Sequence, residues 1–176
     1  PNAHLEITPE FLETAILAAK EAGLHPVPLA AIPELLRRGN PQDRYCAFTL
    51  DDGYRNNAEY AAPVFRKHRV PYTIFICPGF VERTRIAWWE TAADIVESAD
   101  QVQGDFGSGP QTLATATLAG KRRAFAALST MVETLDENEA VSRIQSLAEK
   151  HGIDPMEFIR REIMGADELA DLANVP

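Results

Sequence analysis

The sequence predicts an α/β fold whose C-terminal half is helical, and three observations carry that expectation. First, Tyr45 to Leu50 is a continuous apolar, β-prone run, the pattern of a buried strand. Second, a helical pattern ending at His68 and a further β-prone run, Val70 to Cys77, follow it. Strand, helix and strand at that spacing make a βαβ unit and hence a parallel sheet. Third, the chain beyond Pro78-Gly79 carries helical patterns and no convincing parallel strand, far more than a βα loop holds.

Composition narrows the function classes. The chain has 176 residues, 45% of them hydrophobic and 24% charged, the balance of a globular domain able to bury a core. The 17 basic and 26 acidic side chains leave a net charge of −9. That argues against nucleic acid, whose phosphates need a basic footprint, and against an anionic membrane surface. No run approaches the roughly 20 apolar residues that cross a bilayer. No export signal is visible, which leans the expectation towards the cytoplasm. Cys46 and Cys77 lie in apolar runs and read as buried free thiols.

The elements follow from local signals. Thr8-Pro9-Glu10 opens a helix, with Thr8 as cap, and Gly23 stops it. His25 to Leu29 is extended, but Pro26 and Pro28 argue against a fully paired strand. Ile32 to Arg38 is a short helix ended by Gly39. After Asp51-Asp52-Gly53-Tyr54, Asn56 or Asn57 caps the helix that runs to His68, and Pro63 predicts a kink within it. Trp88-Trp89 leads into a helix over about 90–99, and residues 100–111 are a loop or small hairpin. Helices then cover about 117–135, a segment started by Asp136 and ended by His151-Gly152, another from Asp154-Pro155 to about Ile163, and 166–173.

The chemistry concentrates at Asp51 and Asp52. They stand just past the C-terminal end of the first strong strand, where α/β proteins gather ligands and catalytic groups. Adjacent carboxylates there are costly unless a cation or a shared proton uses their charge. A bare Asp-Asp-Gly is otherwise a turn. Tyr54 follows closely enough to support either carboxylate. Trp88 and Trp89 suit either stacking on sugar rings or packing. Arg55 either neutralises the carboxylate pair or is a solvated residue at a helix start, and His68 and His151 read as helix-end residues facing the dipole.

The run Phe48-Thr49-Leu50-Asp51-Asp52-Gly53-Tyr54-Arg55-Asn56-Asn57 resembles the first motif of the polysaccharide deacetylases, the NodB-homology group (carbohydrate esterase family 4). Leu50 stands where the usual T-F-D-D-G has Phe. Ala61 to His68 and Val70 to Ile76 resemble the helix and strand that follow in that family, and Thr8 to Phe11 the helix before it. Trp88-Trp89 and the helices after it are similar to the insertion of one bacterial subgroup. The resemblance implies a partial (β/α) barrel with a helical insertion. Residues 1–79 would be its N-terminal part, 80–165 the mainly helical insertion, and 166–176 the return to the barrel. It implies a metal-dependent hydrolase removing acetyl groups from an N- or O-acetylated carbohydrate. Asp51 would be the general base and Asp52 a ligand of a divalent metal, zinc or cobalt.

The same resemblance implies two histidine ligands from an H-x-x-x-H motif. His4, His25, His68 and His151 are too far apart for any pair to form it. A closed barrel of this kind typically takes about 250 residues and eight strands. The expectation is therefore an N-terminal part of a deacetylase domain, inactive alone and completed by the rest of the domain or by another chain that brings the histidines. Two other readings stand beside it. One is a non-catalytic carbohydrate-binding or scaffold relative that kept the fold. The other is a helical interaction module built on residues 112–165, with the Asp pair only a turn.

Overall fold

The computed structural model describes residues 6–40, 42–107 and 109–174. They fall into two compact units. One comprises 7–82 together with 162–174, and the other comprises Glu6 and Arg83–Arg161. No helix among the described residues is long and apolar enough to cross a membrane.

The first unit begins with helix α1 (Pro9–Glu21). Thr8 caps it as expected, its hydroxyl oxygen accepting from the Phe11 N–H at 3.2 Å. Strand β1 (His25–Pro26) is two residues long and pairs in parallel with β2 (Tyr45–Cys46). Helix α2 (Ile32–Arg38) ends at Gly39. Strand β3 (Phe48–Leu50) pairs in parallel with β4 (Tyr72–Ile74), in the register Phe48 to Tyr72, Thr49 to Thr73 and Leu50 to Ile74. The helix joining these two strands is α3 (Ala62–His68), so the βαβ unit is present.

Three expectations need correction. The run 45–50 is broken at Ala47, and its two halves pair with different neighbours. Its residues are half-buried and Thr49 is exposed. Among the described residues each parallel sheet has two strands, too few to cover both faces. The run 70–77 shortens to 72–74: Pro71 has no N–H to offer, and Phe75 and Ile76 are exposed. No side-chain cap starts the helix after the Asp pair. Instead Asn57–Ala61 forms a π-helical turn, in which the Ala62 N–H reaches back to the Asn57 carbonyl. Pro63 follows at once. A residue with no N–H cannot continue the ordinary ladder, and the wider turn absorbs that break.

Leu12, Ile16, Phe65 and Val70 form the core of this unit, with Phe48, Leu50 and Tyr72 packed on it. Phe65 is fully buried. It stacks on Tyr72 with ring centroids 4.7 Å apart and meets Phe48 edge-on at 5.6 Å. Burial pushes the Tyr72 hydroxyl pKa up. Glu13 on α1 accepts from Lys67 at 2.6 Å and lies 2.7 Å from His68 Nε2 on α3. His68 thus joins two helices and does more than face a dipole. The Lys67 and His68 contacts hold the Glu13 pKa below the usual range. Short helices α4 (Pro78–Val81) and, much later, the terminal Ala166–Ala173 complete the unit.

The second unit has its own core. Helix α5 (Trp88–Ser98), the antiparallel hairpin β5 (Gln101–Asp105) and β6 (Pro110–Ala114), and helices α6 (Leu118–Thr134) and α7 (Glu137–Lys150) bury Ile95, Val96, Val102, Leu128, Met131 and Ile144 together. The hairpin resolves the loop-or-hairpin choice for 100–111. Asp105 Oδ1 accepts from the Gly107 and Gly109 N–H groups at 2.8 and 3.0 Å and closes its turn. Thr117 and Asp136 cap α6 and α7. Helix α8 (Glu157–Glu162) starts two residues after the expected Asp154-Pro155, and the terminal helix, α9 (Ala166–Ala173), stands where expected. The free thiols Cys46 and Cys77 are half-buried, and burial pushes the Cys46 thiol up.

Removing the central aromatic tests this packing. Phe65→Ala is expected to cost about 3–5 kcal/mol, read as a lower urea midpoint with an unchanged slope. A loss under about 1 kcal/mol would contradict Phe65 as the keystone of the unit.

Candidate functional site

Strand β3 ends at Leu50, and the chain turns immediately. The Phe75 N–H donates to the Leu50 carbonyl at 2.8 Å, so pairing persists to the last strand residue. Asp51 is exposed and Asp52 half-buried. Asp52 has φ 63° and Gly53 has φ 75°. Two successive left-handed residues reverse the chain sharply. Aspartate is among the few side chains that tolerate that region, and glycine does so freely. A Cβ on Gly53 would also come 3.3 Å from Ile76 Cγ2, so both the backbone angle and the neighbour favour glycine there.

The turn is held from two sides. The Asp51 carbonyl accepts from the Gly53 N–H at 2.8 Å and from the Asn57 side-chain amide at 3.3 Å. Asn57, expected as a helix cap, is buried and secures the turn instead. On the other side the returning chain reaches the same backbone. The Met164 N–H donates to the Gly53 carbonyl at 2.9 Å, and Tyr54 forms an antiparallel bridge with Ile163.

Arg55 is not a solvated helix-start residue. Its Nε and Nη2 donate to Glu168 Oε1 and Oε2 at 2.8 and 2.9 Å, a two-pronged pair. Glu168 raises the Arg55 pKa first, with Glu162 and Glu59 adding to it. Sequence reasoning missed the segment 163–168 as a support of this turn. The one local signal was Gly165 followed three residues later by Glu168, half of a capping box. The Gly165 N–H does donate to Glu168 Oε2, at 2.8 Å.

The electrostatics of the pair are asymmetric. Burial, and then the neighbouring Asp51 carboxylate, raise the Asp52 pKa above the ordinary aspartate value. A half-buried carboxyl beside an exposed one is a pair whose second charge is stabilised by a cation or a proton.

The residues proposed from sequence fall in different units. Asp51, Asp52 and Tyr54 share one turn of the strand-bearing unit. Trp88 and Trp89 belong to the helical unit, where their rings meet edge to face at 5.9 Å and Trp88 packs on the helical core. The donors do not compose a metal site by themselves. Among the described residues no group of three or more His, Cys, Asp or Glu gathers to hold a cation. His25 pairs with Tyr45 in the β1–β2 sheet, which is separate from the β3–β4 sheet that leads to Asp51. His68 is engaged with Glu13, and His151 ends α7 in the other unit. His4 lies outside the described residues. The carboxylate pair therefore supplies oxygen donors but not the nitrogen and oxygen set that suits catalytic zinc or cobalt.

Residues 38–115 match the family of the polysaccharide deacetylases. The match contains the parallel pair β3–β4, the carboxylate turn, α5 and the hairpin, and stops before α6. No curated protein and no solved structure matches the chain.

The raised Asp52 pKa has a sign that can be measured. Ionising Asp52 costs the folded state more than the unfolded one. Its contribution to stability is complete below the ordinary aspartate pKa and is lost as pH rises through the raised value. In the presence of a chelator, Asp52→Asn is therefore expected to melt above the parent at pH 7, with the gap closing near pH 3. A gap that widens on acidification would contradict the burial of this carboxyl.

Proposed function

We propose, from the match of residues 38–115 to the polysaccharide deacetylase family, that this site hydrolyses acetyl groups on an N- or O-acetylated carbohydrate. The observation that carries the reading is the Asp51-Asp52 pair. It sits at the C-terminal end of a parallel strand, inside the matched segment, on a turn held from both sides.

Asp51 is the general base. Its carboxyl is exposed, so a water can reach it, and it takes the proton of the water that attacks the acetyl carbonyl. The products are acetate and a free amine, or a hydroxyl where the substrate is an ester. Asp52 is one oxygen ligand of a divalent metal, zinc or cobalt. The remaining donors come from residues other than these, in the rest of the domain or in another chain. Half-burial of Asp52 beside a second carboxylate supports that role, because a cation offsets the cost of its charge. Tyr54, at the end of the turn, supports the pair through its backbone bridge to Ile163. The packing of Trp88 on the helical core favours a structural part for that ring.

The architecture supports a partial (β/α) barrel as well. Strands β3 and β4 are parallel and joined by a helix, and among the described residues each has the other as its one strand partner. The outer edge of such a pair is where a further strand adds. The helical unit is then an insertion after β4.

Acetate release decides the reading. The intact protein, supplied with zinc or cobalt, is assayed on N-acetylglucosamine oligomers and on an O-acetylated xylan. Asp51→Asn and Asp52→Asn are each expected to lower turnover by at least about 100-fold, and Asp52→Asn to remove metal binding in a calorimetric titration. Unchanged turnover in Asp52→Asn would sink the proposal. Saccharide binding without any acetate release would favour a non-catalytic carbohydrate-binding relative.

A further inference from the structure

We infer that Arg55 and Glu168 are positioning residues that lock the Asp51-Asp52-Gly53 turn to the returning segment 163–168. The inference deepens the deacetylase reading and rests on it only for its catalytic consequence. The lock itself stands on geometry.

The turn has reasons to open. Asp52 is a non-glycine residue at φ 63°, and two like charges stand on successive residues. What opposes opening comes from across the unit. Ile163 and Met164 are fully buried. Their backbones make the bridge to Tyr54 and the bond to the Gly53 carbonyl. Leu169 Cδ2 lies 3.9 Å from where a Gly53 Cβ would stand, so α9 also packs towards the turn. A single bridge and one hydrogen bond form no ladder, and they need a fastener beside them.

Arg55 supplies it, two residues after Gly53. Its fork meets both oxygens of Glu168, and one of those oxygens also takes the Gly165 N–H. Two groups thus converge on the carboxylate that α9 carries at Glu168: the Arg55 guanidinium and the Gly165 N–H at the start of that helix. The pair is partly exposed, with the two side chains 28% and 45% accessible. Charge attraction there is modest, but two parallel bonds fix orientation as one cannot. The Glu162 and Glu59 carboxylates add to the field that favours the charged guanidinium.

Amide exchange measures the lock directly. In the intact protein, Arg55→Met and Glu168→Gln are each expected to speed exchange of the Met164 N–H by roughly three- to tenfold. Glu168→Gln keeps an acceptor for Gly165, so the α9 start is retained. The double variant is expected to exchange no faster than either single, as coupled partners do, and Arg55→Lys to restore part of the protection. Unchanged exchange in both singles, or single effects that multiply in the double, would overturn the lock. On acetylated oligosaccharide the singles are expected to lose kcat with KM unchanged. Coupled exchange with unchanged kcat would overturn the positioning role. Exchange needs no substrate, so an absence of acetate release from the parent protein counts against the deacetylase reading and not against the lock.

Discussion

The parallel pairing of Phe48, Thr49 and Leu50 with Tyr72, Thr73 and Ile74 fixes where the carboxylates stand. Parallel strands require a crossover, and here the crossover is the helix from the π turn to His68. Phe65 projects from that helix onto Phe48 and Tyr72, so one side chain seats the helix on both strands. Loss of this seat would release Leu50, and with it the start of the turn. The position of Asp51 and Asp52 is in this sense anchored on an aromatic contact made by the crossover helix.

The turn illustrates a second constraint. Asp-Asp-Gly after Leu50 favours a reversal locally, since Asp and Gly are turn formers. Asp52 and Gly53 adopt left-handed angles, and the backbone closes on itself through the Asp51 carbonyl. Closure from the far end of the sequence, through Met164 and Ile163, then makes the reversal a fixed feature. The segment 162–174 is thus part of the strand-bearing unit although residues 83–161, the other unit, precede it in the chain.

Local signals were legible in the sequence, and long-range ones were not. The caps at Thr8 and Asp136 follow from a side-chain oxygen placed immediately before a helix, and both accept backbone N–H groups of the first turn. The βαβ unit followed from apolar runs at the right spacing. The carboxylate turn was recognised because Asp-Asp-Gly follows a strand. The strands came out shorter than their apolar runs, because apolar composition does not report how many neighbours a strand has. Asn57 was read as a cap since asparagine favours that role, whereas its amide instead serves the Asp51 carbonyl. The pairing of Arg55 with Glu168 spans 113 residues, and no periodicity encodes a contact of that range. His68 is a similar case, since its partner Glu13 lies on a different helix.

Under the proposed function, an acetylated sugar meets this protein at the turn 51–54. A backbone amide spectrum of the isotopically labelled protein, titrated with N-acetylglucosamine oligomer in the presence of zinc, tests it most directly. The account predicts saturating shifts centred on Asp51, Asp52, Gly53 and Tyr54. Shifts confined to residues 112–165, or none at millimolar saccharide, would contradict it.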